Sequence, residues 1–178
     1  MMIFETERLY LRELTDDDFP ALCRMLQDPE VMYAYGHAFS EGEVREWLAR
    51  QQRNYLQDGF GLWAMILQES GELIGQCGIT MQDCAGAEVM EISCLLRKDY
   101  WHQGYATEAA LGCRQYAFEV LNALEVYALI GEDNLPAQQV AKRLGMEEGG
   151  SFLKHYGGED LPQLIFYVAN ENSPLADF

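Results

Sequence analysis

Long apolar runs are missing from this chain, and so is positive charge. No uninterrupted apolar segment approaches the roughly 20 residues that a membrane-spanning helix needs. The start, Met1-Met2-Ile3-Phe4-Glu5-Thr6-Glu7-Arg8, lacks the basic-then-apolar layout of a secretory signal. These absences point to a cytoplasmic protein that does not associate with membranes. Lysine and arginine number 12 against 29 aspartates and glutamates, for a formal net charge of −17. Binding to nucleic acid needs a basic face, so that class is excluded. The five cysteines, Cys23, Cys77, Cys84, Cys94 and Cys113, form no CxxC pair, and no Cys/His set has zinc spacing. No metal is expected. The cysteines read as reduced and mostly buried, with a Cys77–Cys84 hairpin bridge as the less favoured alternative. Neither GxxxxGK[ST] nor GxGxxG occurs, which argues against the common nucleotide-binding loops. Internal repeats, linkers and low-complexity segments are also absent.

What is present is ordinary for a folded domain. The chain has 178 residues, 49% hydrophobic and 23% charged, enough for one substantial core. The acid excess serves solubility, or it attracts a cationic substrate such as an amine. Period-two alternation with leucines at 9 and 11 predicts a strand over residues 8–14. Thr15 then caps a helix whose first turn holds Asp16, Asp17 and Asp18 and which ends before Asp28-Pro29. Ser40 and Glu43 form a capping box opening a second helix, with Val44, Trp47, Leu48 and Gln51 facing inward. Three antiparallel strands follow over residues 61–67, 73–81 and 88–96. A helix from residue 105 buries Ala106, Ala109, Ala110, Cys113, Ala117, Val120 and Leu121. Next come a strand over residues 126–130, a helix opened by Asn134 and Pro136 and ended by Gly145, and two strands around Gly157-Gly158. The order predicts one α+β domain over residues 1–170 and a loosely ordered polar tail over 171–178, beginning at about Asn170.

One stretch organises the rest: Glu91-Ile92-Ser93-Cys94-Leu95-Leu96-Arg97-Lys98-Asp99-Tyr100-Trp101-His102-Gln103-Gly104-Tyr105-Ala106-Thr107-Glu108-Ala109-Ala110. A strand runs through an aromatic, basic loop and a glycine into an alanine-rich helix. The first turn of a helix offers backbone N–H groups without internal partners, and its dipole favours an anion. Gly104 allows close approach of a bulky phosphate.

With Glu5-Thr6-Glu7-Arg8-Leu9-Tyr10-Leu11-Arg12, Asp28-Pro29-Glu30-Val31-Met32 and the segment Asn134 to Met146, this stretch resembles the GCN5-related N-acetyltransferase (GNAT) superfamily. Within it the chain looks most like the RimJ/RimL-type, ribosomal-protein N-terminal acetyltransferase branch. Together the matching stretches and the element order cover nearly the whole chain. The resemblance implies a mixed, mostly antiparallel sheet of about seven strands flanked by about four helices and splayed at its two central strands. It implies acetyl-CoA as donor. The family loop Arg/Gln-x-x-Gly-x-Gly/Ala aligns with Trp101-His102-Gln103-Gly104-Tyr105-Ala106, and N–H groups of Gln103 to Thr107 would take the pyrophosphate. Cys94, Leu95 and Leu96 would pair with the pantetheine arm like a further strand, with an N–H near Leu95 on the thioester oxygen. Asn134 would hold the arm near the next helix; its bland role is a helix N-cap. Arg97, Lys98, His102, Lys142 and Arg143 lie in the matching segments and would offset local negative charge.

The chain departs from the family where Ala137 replaces a frequent serine and Ala141 replaces a tyrosine that acts as general acid in many relatives. The implied reaction moves an acetyl group to a primary amine, a protein N-terminus or a cationic small molecule, by direct transfer in a ternary complex. The alternative is a non-catalytic acyl-CoA-binding or sensing module, which the missing tyrosine keeps open. An ammonium must lose a proton before attack, and Glu91 is the leading base. Glu132 and Asp133 are weaker candidates, Tyr156 or His155 could donate a proton, and Cys94 as an acyl-enzyme nucleophile is disfavoured. The acceptor wall is expected from residues 32–39, the helix around Trp47 and the Tyr156-Gly157-Gly158 turn. A homodimer is the family's tendency.

Overall fold

A four-residue segment ahead of the first expected strand already pairs. The computed structural model describes residues 1–173, and places strand β1 at Met2–Glu5, antiparallel to β2 at Leu9–Arg12. There follow α1 (Phe19–Leu26), α2 (Glu41–Gln57), β3 (Leu62–Leu67), β4 (Leu73–Cys84), β5 (Ala87–Leu96), α3 (Tyr105–Glu119), β6 (Glu125–Gly131), α4 (Leu135–Arg143), β7 (Glu147–Tyr156) and β8 (Glu159–Ala169). The strands lie in the order β1-β2-β3-β4-β5-β6-β8-β7. Only the β5–β6 pair is parallel among the pairings described, so the fold is α+β with a mixed, mostly antiparallel open sheet. The sheet has eight strands among the described residues, where about seven were expected. The extra one is β1.

The described residues fold as two compact units, Met1–Gly78 with Ser93–Gly112, and Ile79–Ile92 with residues 113–173. In the first unit, Asp16–Asp18 form a 3-10 turn rather than the first turn of an α-helix. Asp18 is buried there, accepting from the Arg12 guanidinium at both oxygens at 2.8 Å and from Thr15 N–H at 2.8 Å. The Ser40–Glu43 capping box forms as expected, and Val44, Trp47, Leu48 and Gln51 are all buried. Val44, Trp47 and Leu48 pack with Leu22, Met25 and Leu26 of α1 against β3, and Gln51 Oε1 accepts from Leu62 N–H at 3.0 Å. Trp47 adds edge contacts to Tyr35 and Phe39 at 5.7 and 5.5 Å. Phe4 of β1 meets Trp63 at 6.2 Å and occupies the space that a side chain at Gly112 of α3 would need.

In the second unit, β6 alternates strictly, with Val126, Ala128 and Ile130 buried. α3 ends at Glu119, one residue before Val120, which is exposed rather than inward-facing as expected. The Arg114 guanidinium donates to the Leu144 carbonyl beyond α4. The tail expected to loosen from Asn170 is held further along: Asn170 is buried, its backbone N–H donating to Leu124 O at 2.8 Å and its side-chain N–H to Ala123 O at 3.1 Å. Residues 174–178 of that tail lie outside the described residues.

Close strand packing depends on small residues. A Cβ at Gly78 would lie 2.1 Å from Gly61 O and 2.7 Å from Leu62 Cα, both backbone atoms of the paired strand region. Gly78→Ala is therefore expected to lower stability by about 1–3 kcal/mol. Gly42→Ala, in the first turn of α2 with nothing nearer than Ser40 Oγ at 3.9 Å, is expected to raise it by about 0.5 kcal/mol. Urea melts of the two variants beside the wild type check both signs.

Candidate functional site

In the first unit, the end of β5, the loop 97–104 and the start of α3 form one connected structure. His102 and Gly104 both take left-handed backbone conformations, at φ 60° and 82°. The loop is exposed from His102 to Gly104 and sinks at Tyr105. Glu108 N–H reaches Gly104 O at 3.0 Å, so the N–H groups before it precede the first helical hydrogen bond. That is the donor set that suits an anion.

Trp101, expected at the cofactor, turns toward the protein. Its indole N–H donates to Leu96 O at 2.9 Å, and its ring packs against the core. Arg97 and Lys98, expected to offset negative charge nearby, are engaged by acids. Arg97 pairs with Glu72 and with Asp99 at 3.0 Å, and Lys98 pairs with Glu30. Glu72 also accepts from the Tyr100 hydroxyl at 2.7 Å. The residues whose role sequence reasoning missed are Thr6, Arg8 and Glu108. Glu108 accepts from the Thr6 hydroxyl at 2.6 Å, from Arg8 N–H at 2.7 Å and from Arg8 Nε at 2.7 Å. Burial alone would raise its pKa, but these donors hold it below the usual carboxylate range. The signal available in sequence was an acid in the first turn of α3 together with a basic residue in the Thr6–Arg8 motif.

Cys94 lies on the strand expected to align the thioester, and here the cysteine reading is corrected. Cys77 and Cys94 form a disulfide, with an S–S distance of 2.09 Å and Cα atoms 4.1 Å apart. The turn at Ala85-Gly86 joins β4 and β5 tightly, and both cysteines stand eight residues from it, which brings them opposite one another. Cys84 stays outside the bridge and is buried. A bonded Cys94 has no thiolate to act as a nucleophile. Gly75 of β4 makes room for the same strand, since a Cβ there would lie 2.5 Å from Leu95 O.

In the second unit, Glu91 of β5 pairs in parallel register with Tyr127 of β6. Two residues on, Leu129 N–H is answered by a side chain: it donates to Glu91 Oε2 at 2.8 Å. Glu91 is buried, and burial pushes its pKa up to about 7 against the pull of Leu129 N–H and the Lys154 ammonium. A carboxylate with that value is half ionised near neutrality, which suits proton transfer. Asn134 is the N-cap of α4, its side-chain oxygen accepting from Ala137 N–H at 3.3 Å. Glu132 and Asp133 are exposed. Tyr156 ends β7 opposite Glu159 and is 40% exposed, and His155 Nδ1 lies 2.8 Å from Asp160 Oδ1. Ala141, where the family resemblance implied a tyrosine, is buried on α4. Among the described residues no group of three His, Cys, Asp or Glu could hold a metal ion, and no helix is long and apolar enough to cross a membrane.

The mixed sheet and the strand–glycine–helix loop define the class. The family model described as acetyltransferase (GNAT) domain matches residues 8–147, and the chain belongs to that family. The Bacillus subtilis (strain 168) uncharacterised protein YkkB is 37% identical over 142 residues, 79% of this chain and 83% of its own. The uncharacterised N-acetyltransferase p20 of Bacillus licheniformis is 29% identical over 147 residues, 82% of each chain. The crystal structure of an acetyltransferase from Agrobacterium tumefaciens C58 superposes with a TM-score of 0.79 at 29% identity, covering 96% of this chain and 95% of that one. The protein is thus an acetyltransferase of the GNAT type, an enzyme class that uses acetyl-CoA and acts on an amine.

Because the folded state holds the Glu91 proton to about pH 7 and the unfolded chain releases it near 4.5, stability is expected to fall as pH rises through that window. Glu91→Gln keeps an oxygen for Leu129 N–H and removes the charge. The variant should therefore gain on the wild type by roughly 3 kcal/mol between pH 4.5 and pH 8. Urea melts at the two pH values test this; parallel changes in both proteins would mean that Glu91 ionises in the ordinary range.

Proposed function

We propose that this protein transfers an acetyl group from acetyl-CoA to a primary amine, as a single acetyltransferase domain spanning residues 1–170, by direct attack in a ternary complex. Acetyl-CoA supplies the activated acetyl group as a thioester. The N–H groups of Gln103, Gly104, Tyr105, Ala106 and Thr107 are the proposed ligands of its pyrophosphate, with His102 at the exposed loop tip and Trp101 anchoring the loop. The backbone of Cys94, Leu95 and Leu96 is the proposed partner of the pantetheine arm, and Asn134 adds a side-chain contact while capping α4. The observation that carries the reading is the loop geometry: left-handed His102 and Gly104 lead straight into the unsatisfied first turn of α3.

Glu91 is the proposed base. It takes the proton that the ammonium must lose, directly or through water, before the amine attacks the thioester carbonyl. Its pKa of about 7 supports this, since it accepts a proton at neutral pH and releases it afterwards. Tyr156, at the β7–β8 turn, is proposed as the proton donor to the departing thiolate, a leaving group that needs little help. The net charge of −17 favours a cationic acceptor, either a protein N-terminus or a small polyamine-like molecule. The motif Thr6-Glu7-Arg8-Leu9-Tyr10-Leu11-Arg12 and Tyr100-Trp101-His102-Gln103-Gly104 support the RimJ/RimL-type branch, and a cytoplasmic setting fits that assignment.

An acceptor screen tests the reaction: thiol release from acetyl-CoA is followed with N-terminal peptides, polyamines and aminoglycosides. At least one amine should give turnover, and tight acetyl-CoA binding with no thiol release from any amine would defeat the transfer reading. With that acceptor, wild-type kcat/KM is expected to rise through about pH 7, a limb that Glu91→Gln should lose along with roughly a hundredfold in rate. Gly104→Val should abolish acetyl-CoA binding in calorimetry while the far-ultraviolet circular dichroism stays native; unchanged affinity would remove the loop as the donor site.

A further inference from the structure

We propose that Arg8 is a positioning residue for the acyl-donor loop, aiming the Gly104 N–H at the donor's pyrophosphate while neutralising Glu108 beside it. This rests on the assignment of the loop to acetyl-CoA. Arg8 lies on the turn between β1 and β2, far in sequence from the loop. Its guanidinium is engaged on several sides. Nε donates to Glu108 Oε2 at 2.7 Å, Nη1 donates to Gln103 O at 2.9 Å, and the plane lies over the Tyr105 ring at 4.2 Å. Nη2 lies 3.4 Å from where a Cβ at Gly104 would stand.

The contact to Gln103 O carries the inference. Among the described residues there are no cis peptide bonds, so the Gln103–Gly104 peptide is trans. In a trans peptide the carbonyl and the following N–H point in opposite directions. Fixing Gln103 O on Arg8 therefore turns the Gly104 N–H away from Arg8. Gly104, at φ 82°, then carries the chain into α3.

The second part is electrostatic. Glu108 sits in the first turn of α3, where a lone carboxylate would compete with a bound anion for the same dipole. Arg8 and Thr6 occupy both its oxygens. A lysine would restore the charge but lacks the planar fork that serves Glu108, Gln103 and the Tyr105 ring together.

The test is isothermal titration of acetyl-CoA into Arg8→Ala, Arg8→Lys and Glu108→Gln, with steady-state kinetics on the acceptor found by the screen. Arg8→Ala should raise the acetyl-CoA Kd and KM at least about tenfold, with kcat at saturating donor and the amine KM within about twofold of wild type. Arg8→Lys should recover little of the loss, because charge alone does not hold Gln103 O. Glu108→Gln should weaken binding less than Arg8→Ala does. If Arg8→Ala does not fold, Arg8→Lys carries the test by the same criterion. Wild-type affinity in the arginine variants, whether or not their thermal stability falls, would overturn the positioning role while leaving the loop assignment intact. A wild type that binds no acetyl-CoA would instead overturn the loop assignment, and this inference with it.

Discussion

An acidic side chain in the first turn of α3 is the constraint around which the first unit is arranged. Glu108 is partly buried, which alone would favour its neutral form. It stays ionised because the Thr6 hydroxyl, the Arg8 backbone N–H and the Arg8 guanidinium all donate to it. Two of those donors cannot reach it unless the chain makes its turn between β1 and β2, where Thr6 N–H also donates to Leu9 O at 2.8 Å. The pairing of β1 with β2, the seating of Tyr105 and the shape of the loop 102–104 are thus linked through one carboxylate. A second tie holds the other end of the loop, where Glu72 receives Arg97 and the Tyr100 hydroxyl and Trp101 fastens to Leu96 O.

Several features were legible because a local pattern determines them. The Ser40–Glu43 box and the stripe Val44, Trp47, Leu48, Gln51 are helix-period information, and α2 keeps them all. The strand at 9–12 and the helices opened at 105 and 135 follow from the same kind of signal. β1 was not legible, since four residues give too short an alternation and a register shift between Met2 and Phe4 interrupts it. Its anchor, Phe4 against Gly112, links residues more than a hundred positions apart. The Cys77–Cys94 pairing depended on register. A loop drawn loosely over residues 83–87 leaves the partner open, whereas a two-residue turn at Ala85-Gly86 fixes it, and a slip of one residue would send Cys94 to the opposite face.

The expected site divides along the same line. Gly104 and the start of α3 were readable from a strand–glycine–helix pattern, because helix-end chemistry is local. Arg8 was visible as a motif residue without a role, because its partners come from Gln103, Tyr105 and Glu108. The balance of charge was not readable at all. A chain of net charge −17 has few cations, and Arg8, Arg12, Arg97 and Lys98 all pair with carboxylates. On the proposed reading, the attraction for the donor's phosphates therefore comes from oriented backbone N–H groups and the α3 dipole, while the acid excess is left to act on the amine.

That division bears on the missing tyrosine. Ala141 is buried on α4, and its carbonyl accepts Met146 N–H at 3.1 Å as the helix closes. A tyrosine placed there would have to find volume inside the fold, so its absence is built into the packing rather than a simple loss from the surface. On the proposed mechanism, proton release from the amine does not depend on that hydroxyl. It depends on the proposed base, Glu91, whose pKa reaches about 7 because β5 and β6 enclose its carboxylate and leave it chiefly Leu129 N–H as a donor. A thiol, with a pKa near 8.5, departs without obligatory protonation. On that mechanism acetyl transfer makes a stronger demand on the base than on the acid, and the position where the family resemblance implied an acidic tyrosine and this chain has alanine is the one where the chemistry demands less.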